Sequence, residues 1–327
     1  MYDVFGLGNA LVDTEIEIDD SFLTTHGIAK GHMTLVDSER MQSLVNELTG
    51  QNQILASGGS AANSMFAIQA FGRQTTYACR VSADEVGQFF LKDMADAGID
   101  VNENAVAHEG HSGRCLILIS HDAERTMNTD LGVSNNLSRD DVDFDKLRAS
   151  KYFYVEGYLS SSDTGREAAI DAIETCRQAG VRAAVSLSDP SMIEFFKEPL
   201  TKMLGNGVDL IFCNEEEALA WAGTDRIDIA IAELKDVAPE VYVTLGAHGS
   251  LAVVNGTQHT AEGVEAHAVD TTGAGDMYAG AVLAARCDGA DPTDAARFAN
   301  YCAAHLVTQY GARLKSADAY RALKASY

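Results

Sequence analysis

The segment from Asp270 to Asp276, Asp-Thr-Thr-Gly-Ala-Gly-Asp, runs directly into a helix-like stretch of small apolar residues. The first amides of a helix lack intrahelical partners and lie at the positive end of its dipole, and glycines let an anion approach them. We therefore predict an anion hole for a phosphoryl group, formed by Gly273, Ala274 and Gly275. Asp276 is predicted to be the base that takes a proton from an attacking hydroxyl. The alternative is an ordinary turn with a capping aspartate, which the length of the string disfavours.

A second glycine-containing turn, at Gly58 and Gly59, also leads from a strand-like run into a helix-like one. Paired glycines allow backbone amides to approach a ligand. Asn63, one turn into the helix, has an amide that can bond to a hydroxyl group. A plain strand-to-helix turn with Ser60 as its N-cap explains the segment equally well.

The end of the first strand carries a Gly-x-Gly pair at Gly6 and Gly8. A dinucleotide-binding turn needs a third glycine, and Leu11 stands in its place, so we reject dinucleotide binding. Asn9 and Asp13, at the carboxyl end of this strand, can instead bind vicinal hydroxyls. Loop capping is the alternative for both residues.

Two later strand ends carry weaker signals. The acids after Asn214, including Glu217, suit a hydrated Mg²⁺ ion, although acids are also favoured in the first turn of any helix. Thr244, Gly246 and Gly249 follow another buried strand, where a hydroxyl and backbone amides can hold the phosphates of ATP. A tight hairpin is the alternative for that second segment.

These motifs are separated by strand-like and helix-like segments that alternate along most of the chain. This order predicts an α/β fold, a doubly wound and mainly parallel sheet with helices on both faces. Two segments have hairpin character instead, and the second has a turn at 121–123. We predict that they form a small β lid. The predicted α/β core comprises 1–13, 37–110 and 130–327, and the predicted lid comprises 14–36 and 111–129.

Composition excludes several classes of protein. The 327 residues carry 48 acids and 24 bases, a net charge of −24, which argues against binding nucleic acid through its phosphates. An anionic ligand would therefore need local cations or amides. The six cysteines include no Cys-x-x-Cys pair, which indicates reduced core residues. Without a basic leader or an apolar stretch of spanning length, the expectation is a cytoplasmic protein with no membrane contact.

Two other catalytic signatures are absent from the sequence. There is no Gly-x-x-x-x-Gly-Lys-Ser/Thr string, so a Walker-type nucleotide site is excluded. The segment His108-Glu-Gly-His111 is one residue short of a zinc-hydrolase motif, so zinc hydrolysis is excluded as well.

Taken in order, these motifs resemble those of the ribokinase-like (PfkB) carbohydrate kinases, over nearly the whole chain. The resemblance implies a doubly wound domain with a β lid, which uses ATP and Mg²⁺. It implies that Asp276 is the catalytic base beside the anion hole of Gly273, Ala274 and Gly275. It further implies the following groups: sugar-hydroxyl contacts at Asn9, Asp13, Gly58, Gly59 and Asn63; magnesium and phosphate organisers at Asn214 and Glu217; and nucleotide contacts at Thr244, Gly246 and Gly249.

Within this family the chain is most similar to bacterial adenosine kinase-like members, through the strings 8–13, 124–129 and 154–158. This resemblance implies that Arg125 is a lid cation for the transferring phosphate and that Asn300 lines the ATP adenine. Monovalent-cation activation is common in such kinases, with Asp270, Thr272 and Gly311 as candidate positions. Stacking of an acceptor base would rest on residues from this set: Met33, Leu35, Met127, Leu131 and Tyr158.

The implied reaction is phosphorylation of a ribonucleoside, with adenosine and its 5′-hydroxyl as first choice. A sugar kinase for ribose, fructose or a keto-deoxy acid remains open, since Arg114, Arg125 or Arg166 could bind a sugar acid. A catalytically silent nucleoside sensor is a second alternative, which the intact Asp276 disfavours. The expected partner is a small molecule, and a monomer and a homodimer are both compatible with the sequence.

Overall fold

Strands joined by helical crossovers make up most of the chain. The computed structural model describes residues 1–31, 33–102, 105–122 and 124–327; the predicted turn at 121–123 therefore includes one position, Ala123, outside the described residues. The strands are β1 Val4–Leu7, β2 Leu11–Glu17, β3 Met33–Leu35, β4 Ile54–Gly58, β5 Thr75–Ala78, β6 Val81–Ser82, β7 Asp100–Val101, β8 Val106–Ala107, β9 Gly113–Ile119, β10 Arg125–Asp130, β11 Tyr152–Glu156, β12 Arg182–Ser186, β13 Leu210–Asn214, β14 Glu240–Thr244, β15 Ser250–Val254 and β16 Thr257–Ala261. The helices are α1 Asp20–His26, α2 Ser38–Glu47, α3 Ser60–Ala70, α4 Glu85–Asp96, α5 Phe144–Arg148, α6 Asp163–Ala179, α7 Pro190–Leu204, α8 Glu215–Ala222, α9 Ile227–Lys235, α10 Ala274–Cys287, α11 Pro292–Leu306 and α12 Ala317–Ser326.

The large sheet confirms the predicted doubly wound architecture. Within the described ranges it has nine strands in the order β16-β15-β14-β13-β12-β11-β1-β5-β7. The strands from β14 to β7 are parallel, and β15 and β16 add an antiparallel edge. The chain order reverses on either side of β1 and β11, and in open α/β sheets ligands bind at the carboxyl ends of strands near such a reversal.

Both faces of this sheet are buried under helices. Along β11, Tyr152 and Tyr154 belong to one core cluster, and Phe153 and Val155 belong to the other. Helices α3, α4 and α10–α12 contribute to the first cluster, and α5–α9 contribute to the second. This two-sided burial explains why the parallel strands are continuously apolar in sequence.

A second sheet forms the lid, and it is larger than the sequence predicted. In the described part of the chain its five strands lie in the order β3-β10-β9-β2-β4. It therefore includes Ile54–Gly58 and the beginning of β2 at Leu11, both of which the prediction placed in the α/β core. The reason is pairing: β4 lies antiparallel to β2 as an edge strand, from Leu11 opposite Gly58 to Glu15 opposite Ile54.

The two faces of the lid sheet have different surroundings. Ile16, Leu116 and Leu118 point to one face, where Met41 and Leu44 of α2 cover them in a small apolar cluster. Helix α2 therefore belongs with the lid, although the prediction assigned it to the core. Because side chains alternate along a strand, Asp13 and Glu15 lie on the opposite face.

Among the described residues, none of the helices combines the length and the apolar character that crossing a bilayer requires.

Candidate active site

Helices α3 and α10 pack closely because of a glycine at their crossing. A side chain on Gly280 would meet the backbone oxygen of Ser64 at 2.8 Å and the Cβ atom of Ala67 at 2.9 Å. The close approach allows the first turn of α3 to contact the first turn of α10. Two motifs that are more than 200 residues apart in sequence therefore form one site.

Asp276 is the carboxylate at the centre of this site. Ser60 Oγ donates to its Oδ1 atom at 2.6 Å, and Asn63 Nδ2 donates to its Oδ2 atom at 3.0 Å. Burial raises the pKa of Asp276 to about 6, while these two hydrogen bonds and the charge of Arg313 act in the opposite direction. A carboxylate with such a pKa is ionised near neutral pH and can still accept a proton during a reaction.

The first turn of α10 has the features of an anion-binding site. Gly273 is the N-cap with φ +73°, and the first helical bond runs from Met277 N to Gly273 O. The amides of Gly275 and Asp276 therefore lie in the turn that has no intrahelical acceptors. A Cβ atom on Gly275 would meet no heavy atom within 4 Å, so the space in front of the turn is open. Ala274 also lies in this turn, and its amide donates to Thr271 O at 3.1 Å.

Asp13 and the glycine pair lie beside one another at the start of the lid. A side chain on Gly58 would overlap the carboxylate of Asp13, and one on Gly59, which has φ +102°, would meet Asn9 O at 2.5 Å. Burial raises the pKa of Asp13 to about 7; Arg313 opposes this shift, and the charge of Asp276 adds to it. The influence of Asp276 on Asp13 places the two carboxylates in one electrostatic environment.

Asn9 is tied to protein groups rather than left free. Its Nδ2 atom donates to Glu156 Oε1 at 2.7 Å, and its Oδ1 atom accepts from Ser134 Oγ at 3.1 Å. Glu156 also accepts from the amides of Asn9 at 2.8 Å and Ala61 at 2.7 Å. In this structure Asn9 orients Glu156, which in turn holds the beginning of α3; contact of Asn9 with a substrate stays a prediction.

Arg125 connects the lid to the core. Its guanidinium donates to Asp270 Oδ2 at 3.0 Å and forms an ion pair with Glu15 of the lid. Asp270 also accepts from the amides of Thr272 at 2.9 Å and Gly311 at 2.7 Å. Both terminal nitrogens of this guanidinium, Nη1 and Nη2, are therefore engaged by carboxylates, and its role as a phosphate contact stays a prediction.

A cavity of about 560 Å³ lies on the other side of the first turn of α10. Its walls include Thr244, Gly246, Gly249 and Asn300, all predicted as nucleotide contacts, and they are otherwise mostly apolar. The other residues of its walls are Ala247, Gly263, Val264, Glu265, Ala266, Ala268, Thr271, Ala274, Gly275, Tyr278, Ala303, Ala304 and Val307. Asn300 Nδ2 donates to the carbonyl oxygens of Ala261 at 2.9 Å and Glu262 at 3.1 Å, and so holds the chain at the edge of the cavity.

Asn214 and Glu217 form a capping box at the beginning of α8. Asn214 Oδ1 accepts from Glu217 N at 2.7 Å, and Glu217 Oε2 accepts from Asn214 N at 3.1 Å. The helix-capping alternative is therefore realised, which does not exclude a second role. Burial raises the pKa of Glu217 to about 7, and the charges of Asp189, Glu216 and Asp276 add to the shift. Over the residues that the structure describes, no group of three or more His, Cys, Asp or Glu could hold a metal by itself.

Two charged residues of this site, Glu156 and Arg313, could not be selected from sequence patterns. Glu156 lies inside the string 154–158 but is not itself a motif residue. Arg313 lies outside every recognisable motif. Arg313 Nε donates to Asn63 Oδ1 at 2.9 Å, although 250 positions separate them. The one available signal was the position of Arg313 directly after Gly311-Ala312, which packs on the anion-hole turn: a Cβ atom on Gly273 would lie 2.6 Å from Ala312 Cα.

Comparison with known proteins places this chain in a family. The family model described as pfkB family carbohydrate kinase matches residues 29–319. The chain is 26% identical to guanosine-inosine kinase of Escherichia coli over 75% of its own length and 58% of that protein's length. It is 24% identical to adenosine kinase of Saccharomyces cerevisiae over 93% of this chain and 94% of that protein.

Solved structures confirm the fold. The structure of adenosine kinase from Sinorhizobium meliloti superimposes with a TM-score of 0.90 and 32% identity, and the match covers 99% of both chains. The family model covers most of the chain, and the sheet order agrees with the ribokinase-like architecture that the motifs predicted. The chain belongs to the pfkB family of carbohydrate kinases, which transfer phosphate to a hydroxyl group.

Proposed function

We propose that this chain is an ATP-dependent kinase that phosphorylates the 5′-hydroxyl of a ribonucleoside, with adenosine as first choice. One observation carries the proposal. The first turn of α10 has a mostly apolar cavity of nucleotide size on one side, where Gly275 lines the wall. On its other side Asp276 meets Ser60 and Asn63 beside the predicted hydroxyl-binding residues.

The proposed reaction is direct transfer between the two sides of this turn. Asp276 accepts the proton of the acceptor hydroxyl while the oxygen of that hydroxyl bonds to the γ-phosphorus of ATP. The bond from the γ-phosphorus to the β,γ-bridging oxygen breaks, and ADP leaves. The amides of Gly275 and Asp276 stabilise the charge on the transferring group, and the lid excludes water from the cleft.

The residues present fit a magnesium ion that is held largely by water and by the phosphates of ATP. Glu217 offers a carboxylate whose pKa is raised by burial and by neighbouring acids, so a nearby cation would stabilise its ionised form. Because Mg²⁺ in kinases is commonly bound by one or two carboxylates, the absence of a larger ligand cluster in the described ranges is compatible with this interpretation. When bound, the ion would neutralise charge on the phosphates.

The lid face that carries Asp13 supports a nucleoside as acceptor. Strand register places Met33, Met127 and Ile117 in one cross-strand row with Glu15. The next row joins Leu35 to Thr129, Cys115 and Asp13, so it runs from an apolar end to the predicted ribose contact. A base attached to a ribose held at Asp13 would find an apolar surface on this face.

The apolar end of this face is accessible and borders a second cavity. Met33 is 41% exposed and Leu35 is 61% exposed, so both side chains are accessible to a ligand. Leu35 and Phe196 are among the residues that line a cavity of about 500 Å³ between the lid and α7. A free pentose has no group that would cover these side chains, whereas a purine would.

The rival acceptor, a sugar acid, needs an uncommitted cation. Arg125 is paired with two carboxylates, and Arg166 donates to Ser160 O and Asp163. Arg114 pairs with Val12, so its side chain lies on the lid face opposite Asp13. These three positions favour the nucleoside over the sugar acid.

The proposal is tested with a panel of ribonucleosides, ribose, fructose and 2-keto-3-deoxy sugar acids, scored by ADP release with Mg·ATP. We expect adenosine to give the highest kcat/KM. A sugar as the best acceptor would overturn the nucleoside assignment, and the absence of turnover with every acceptor would favour the silent sensor.

The role of Asp276 is tested with Asp276→Asn, which keeps the shape of the side chain but removes the base. We expect kcat to fall by at least about 10³-fold, since general-base catalysis typically contributes 10²–10⁴-fold. Binding of adenosine, measured by calorimetry, should change by less than about tenfold. Near-normal turnover of the variant would refute the assignment.

A further inference from the structure

Arg313 is a buried cation of the site that the reaction scheme above does not use. It lies in the segment between α11 and α12, and its side chain is only 11% exposed. Its guanidinium carbon lies 4.5 Å from the centre of the Phe66 ring, on α3. A buried arginine is costly unless its donors are bonded. Within the described residues Nε and Nη1 are bonded and Nη2 is not, so the partners of Nε and Nη1 indicate what the residue does.

These partners come from three different elements. Nε donates to Asn63 Oδ1 on α3 at 2.9 Å, and Nη1 donates to Ser57 Oγ at the end of β4 at 2.9 Å. Nη1 also forms an ion pair with Asp93 Oδ2 of α4 at 3.2 Å. Asp93 additionally accepts from the hydroxyl of Ser57. The arginine therefore joins α3, whose Ser60 and Asn63 bond to Asp276, to the lid strand β4 that leads into Gly58.

The contact with Asn63 determines which way its amide points. A guanidinium has donors only, so the amide atom that faces Arg313 must be the oxygen. The nitrogen of Asn63 then faces Asp276 and donates to it at 3.0 Å. Without Arg313, a protonated Asp276 could donate to the oxygen of a flipped Asn63 amide, so Asn63 would no longer favour the ionised form of Asp276 alone.

We propose that Arg313 is a positioning residue for the phosphoryl transfer proposed above, which acts by fixing the amide of Asn63 as a donor to Asp276. This inference rests on the proposed function only in naming the reaction, since the geometry stands by itself. An arginine that merely stabilised the fold through Asp93 would affect stability without affecting Asp276.

Several charged or titratable groups around Asp276 are influenced by its charge. They are Asp13 on β2, Tyr154 and Glu156 on β11, Tyr158 in the turn after β11, Glu217 on α8, Tyr320 on α12 and Arg313 in the segment before α12. Of these, Arg313 is the cation, and it lowers the pKa of Asp276 against the effect of burial. Removing it should therefore raise the pKa of Asp276.

The first experiment compares the pH dependence of kcat/KM in the wild type and in Arg313→Met. The acidic limb reports the base that must be ionised, and we expect the substitution to move it to higher pH by about one unit. Arg313→Lys retains a donor facing Asn63 and should return the limb most of the way to the wild-type position. An unmoved limb in Arg313→Met would overturn the proposal.

The second experiment separates orientation of Asn63 from the simple effect of a nearby charge. In an Asn63→Ala background there is no amide to orient, so Arg313→Met should shift the limb by less than half as much as it does in the wild type. Equal shifts in the two backgrounds would mean that Arg313 acts through its charge alone, and the orienting role would be wrong.

The third experiment does not depend on turnover and so separates this inference from the proposed function. The carboxyl carbon of Asp276 is titrated by NMR in ¹³C-aspartate-labelled protein, with Asp276→Asn to assign the signal. The midpoint should be higher in Arg313→Met than in the wild type, whichever acceptor the enzyme uses. Equal midpoints would contradict the proposal even if the protein proved to be an active kinase.

Two further variants keep these experiments interpretable. Arg286→Met removes another largely buried arginine, which is paired with Glu240 at 3.0 Å at the opposite end of the sheet. It should lower thermal stability without moving the limb or the NMR midpoint. If Arg313→Met does not fold, Arg313→Leu replaces it, because leucine also lacks both the charge and a hydrogen-bond donor facing Asn63. The same shift is expected, and its absence would overturn the proposal.

Discussion

At the scale of single residues, Gly273 and Gly275 are glycines for different reasons, although they share one turn. Gly273 has φ +73°, and a Cβ atom there would lie 2.7 Å from that of Ala312. Gly275 has neither restriction: it lies in the first turn of α10 and faces open space. The fold requires the first glycine, and we infer that a ligand requires the second.

This difference predicts a separation between stability and activity. Gly275→Ala should leave the free energy of unfolding unchanged or increase it by up to about 1 kcal/mol, because alanine is the better helix former. The same methyl group would project towards the cavity and should lower kcat/KM for ATP by at least about tenfold. Thermal unfolding and steady-state kinetics check the two expectations.

Gly273→Ala is the matched comparison, and it should be destabilised because the new side chain meets the 311–312 segment in a strained backbone conformation. A Gly275→Ala enzyme with normal kinetics would contradict the anion-hole assignment.

Residues such as Asp276 could be selected from sequence because they occupy a long and specific string. Arg313 and Glu156 could not, since their roles depend on contacts with partners 95 to 256 positions away. Neither local pattern nor composition specifies which of the chain's arginines lies within reach of Asn63. The charged residues that orient other side chains therefore become visible only in the folded structure, where α3 packs against its neighbours.

At the scale of elements, the order of strands and helices was predictable, whereas the extent of the lid was not. The apolar parallel strands have a clear pattern because helices cover both of their faces. In sequence, the apolar residues Ile54 and Leu55 followed by the Gly58–Gly59 turn fit a core strand equally well. In the structure both apolar side chains are exposed. Its membership in the lid depends on pairing with β2, which is a non-local contact.

The nucleoside assignment predicts a face-specific effect on the lid sheet. Leu35→Ser removes an apolar side chain from the face that carries Asp13, and we expect KM for adenosine to rise about tenfold, or about 1.4 kcal/mol. KM for ATP should not change. Steady-state kinetics with each substrate varied in turn measures both values.

Leu55→Ser is the control for this substitution because Leu55 is 48% exposed and pairs with Thr14, whose side chain points to the other face. It should leave both KM values as they are. If the Leu35 variant behaved like this control, the acceptor base would not lie on the proposed lid face.

The connection between lid and core predicts an effect on motion as well as on rate. Arg125→Gln would leave Asp270 and Glu15 without their shared cation, and the side chain of Arg125 is only 9% exposed in the present arrangement. We expect faster amide hydrogen exchange in β10 and a kcat/KM for ATP at least about tenfold lower. Hydrogen-exchange mass spectrometry and kinetics test the two parts.

Arg139→Gln provides a surface comparison, since Arg139 is 60% exposed and its ion pair with Asp171 lies on the solvent side. It should change neither quantity. Slow exchange in β10 of the Arg125 variant would show that the lid is held by its other contacts.

At the scale of the whole molecule, buried acids combine with a net charge of −24. Burial is the largest cause of the raised pKa values of Asp13 and Glu156, both at about 7, and of Asp276, at about 6. Each of these groups therefore has a higher pKa in the folded state than in the unfolded chain, where carboxyl groups titrate near pH 4. The ionised forms are destabilised by folding.

The sign of the pH dependence follows from proton binding. Between about pH 4 and pH 7 the folded state binds more protons than the unfolded chain at these groups, so the free energy of unfolding falls as pH rises. Acids with lowered pKa values, such as Asp84 and Asp100, act in the opposite sense, but only below about pH 4, where their unfolded forms become protonated. Repulsion among the many surface acids adds to the loss of stability above this range.

We therefore predict that the ligand-free protein has a higher Tm at pH 5.5 than at pH 8, which differential scanning fluorimetry or calorimetry would measure. Asp13→Asn should flatten this dependence, because within the described residues the carboxylate of Asp13 has no hydrogen bond to lose and the neutral amide avoids the cost of a buried charge. At pH 8 the gain in the free energy of unfolding should be about 1 kcal/mol, or roughly 3 °C in Tm.

Asp140→Asn is the control because it changes an exposed acid, and it should leave the dependence of Tm on pH unaltered. A Tm that rises from pH 5.5 to pH 8, or an Asp13 variant with the wild-type slope, would show that the site's carboxylates are not strained by burial, and the electrostatic basis of the proposed magnesium and phosphate binding would fail with it.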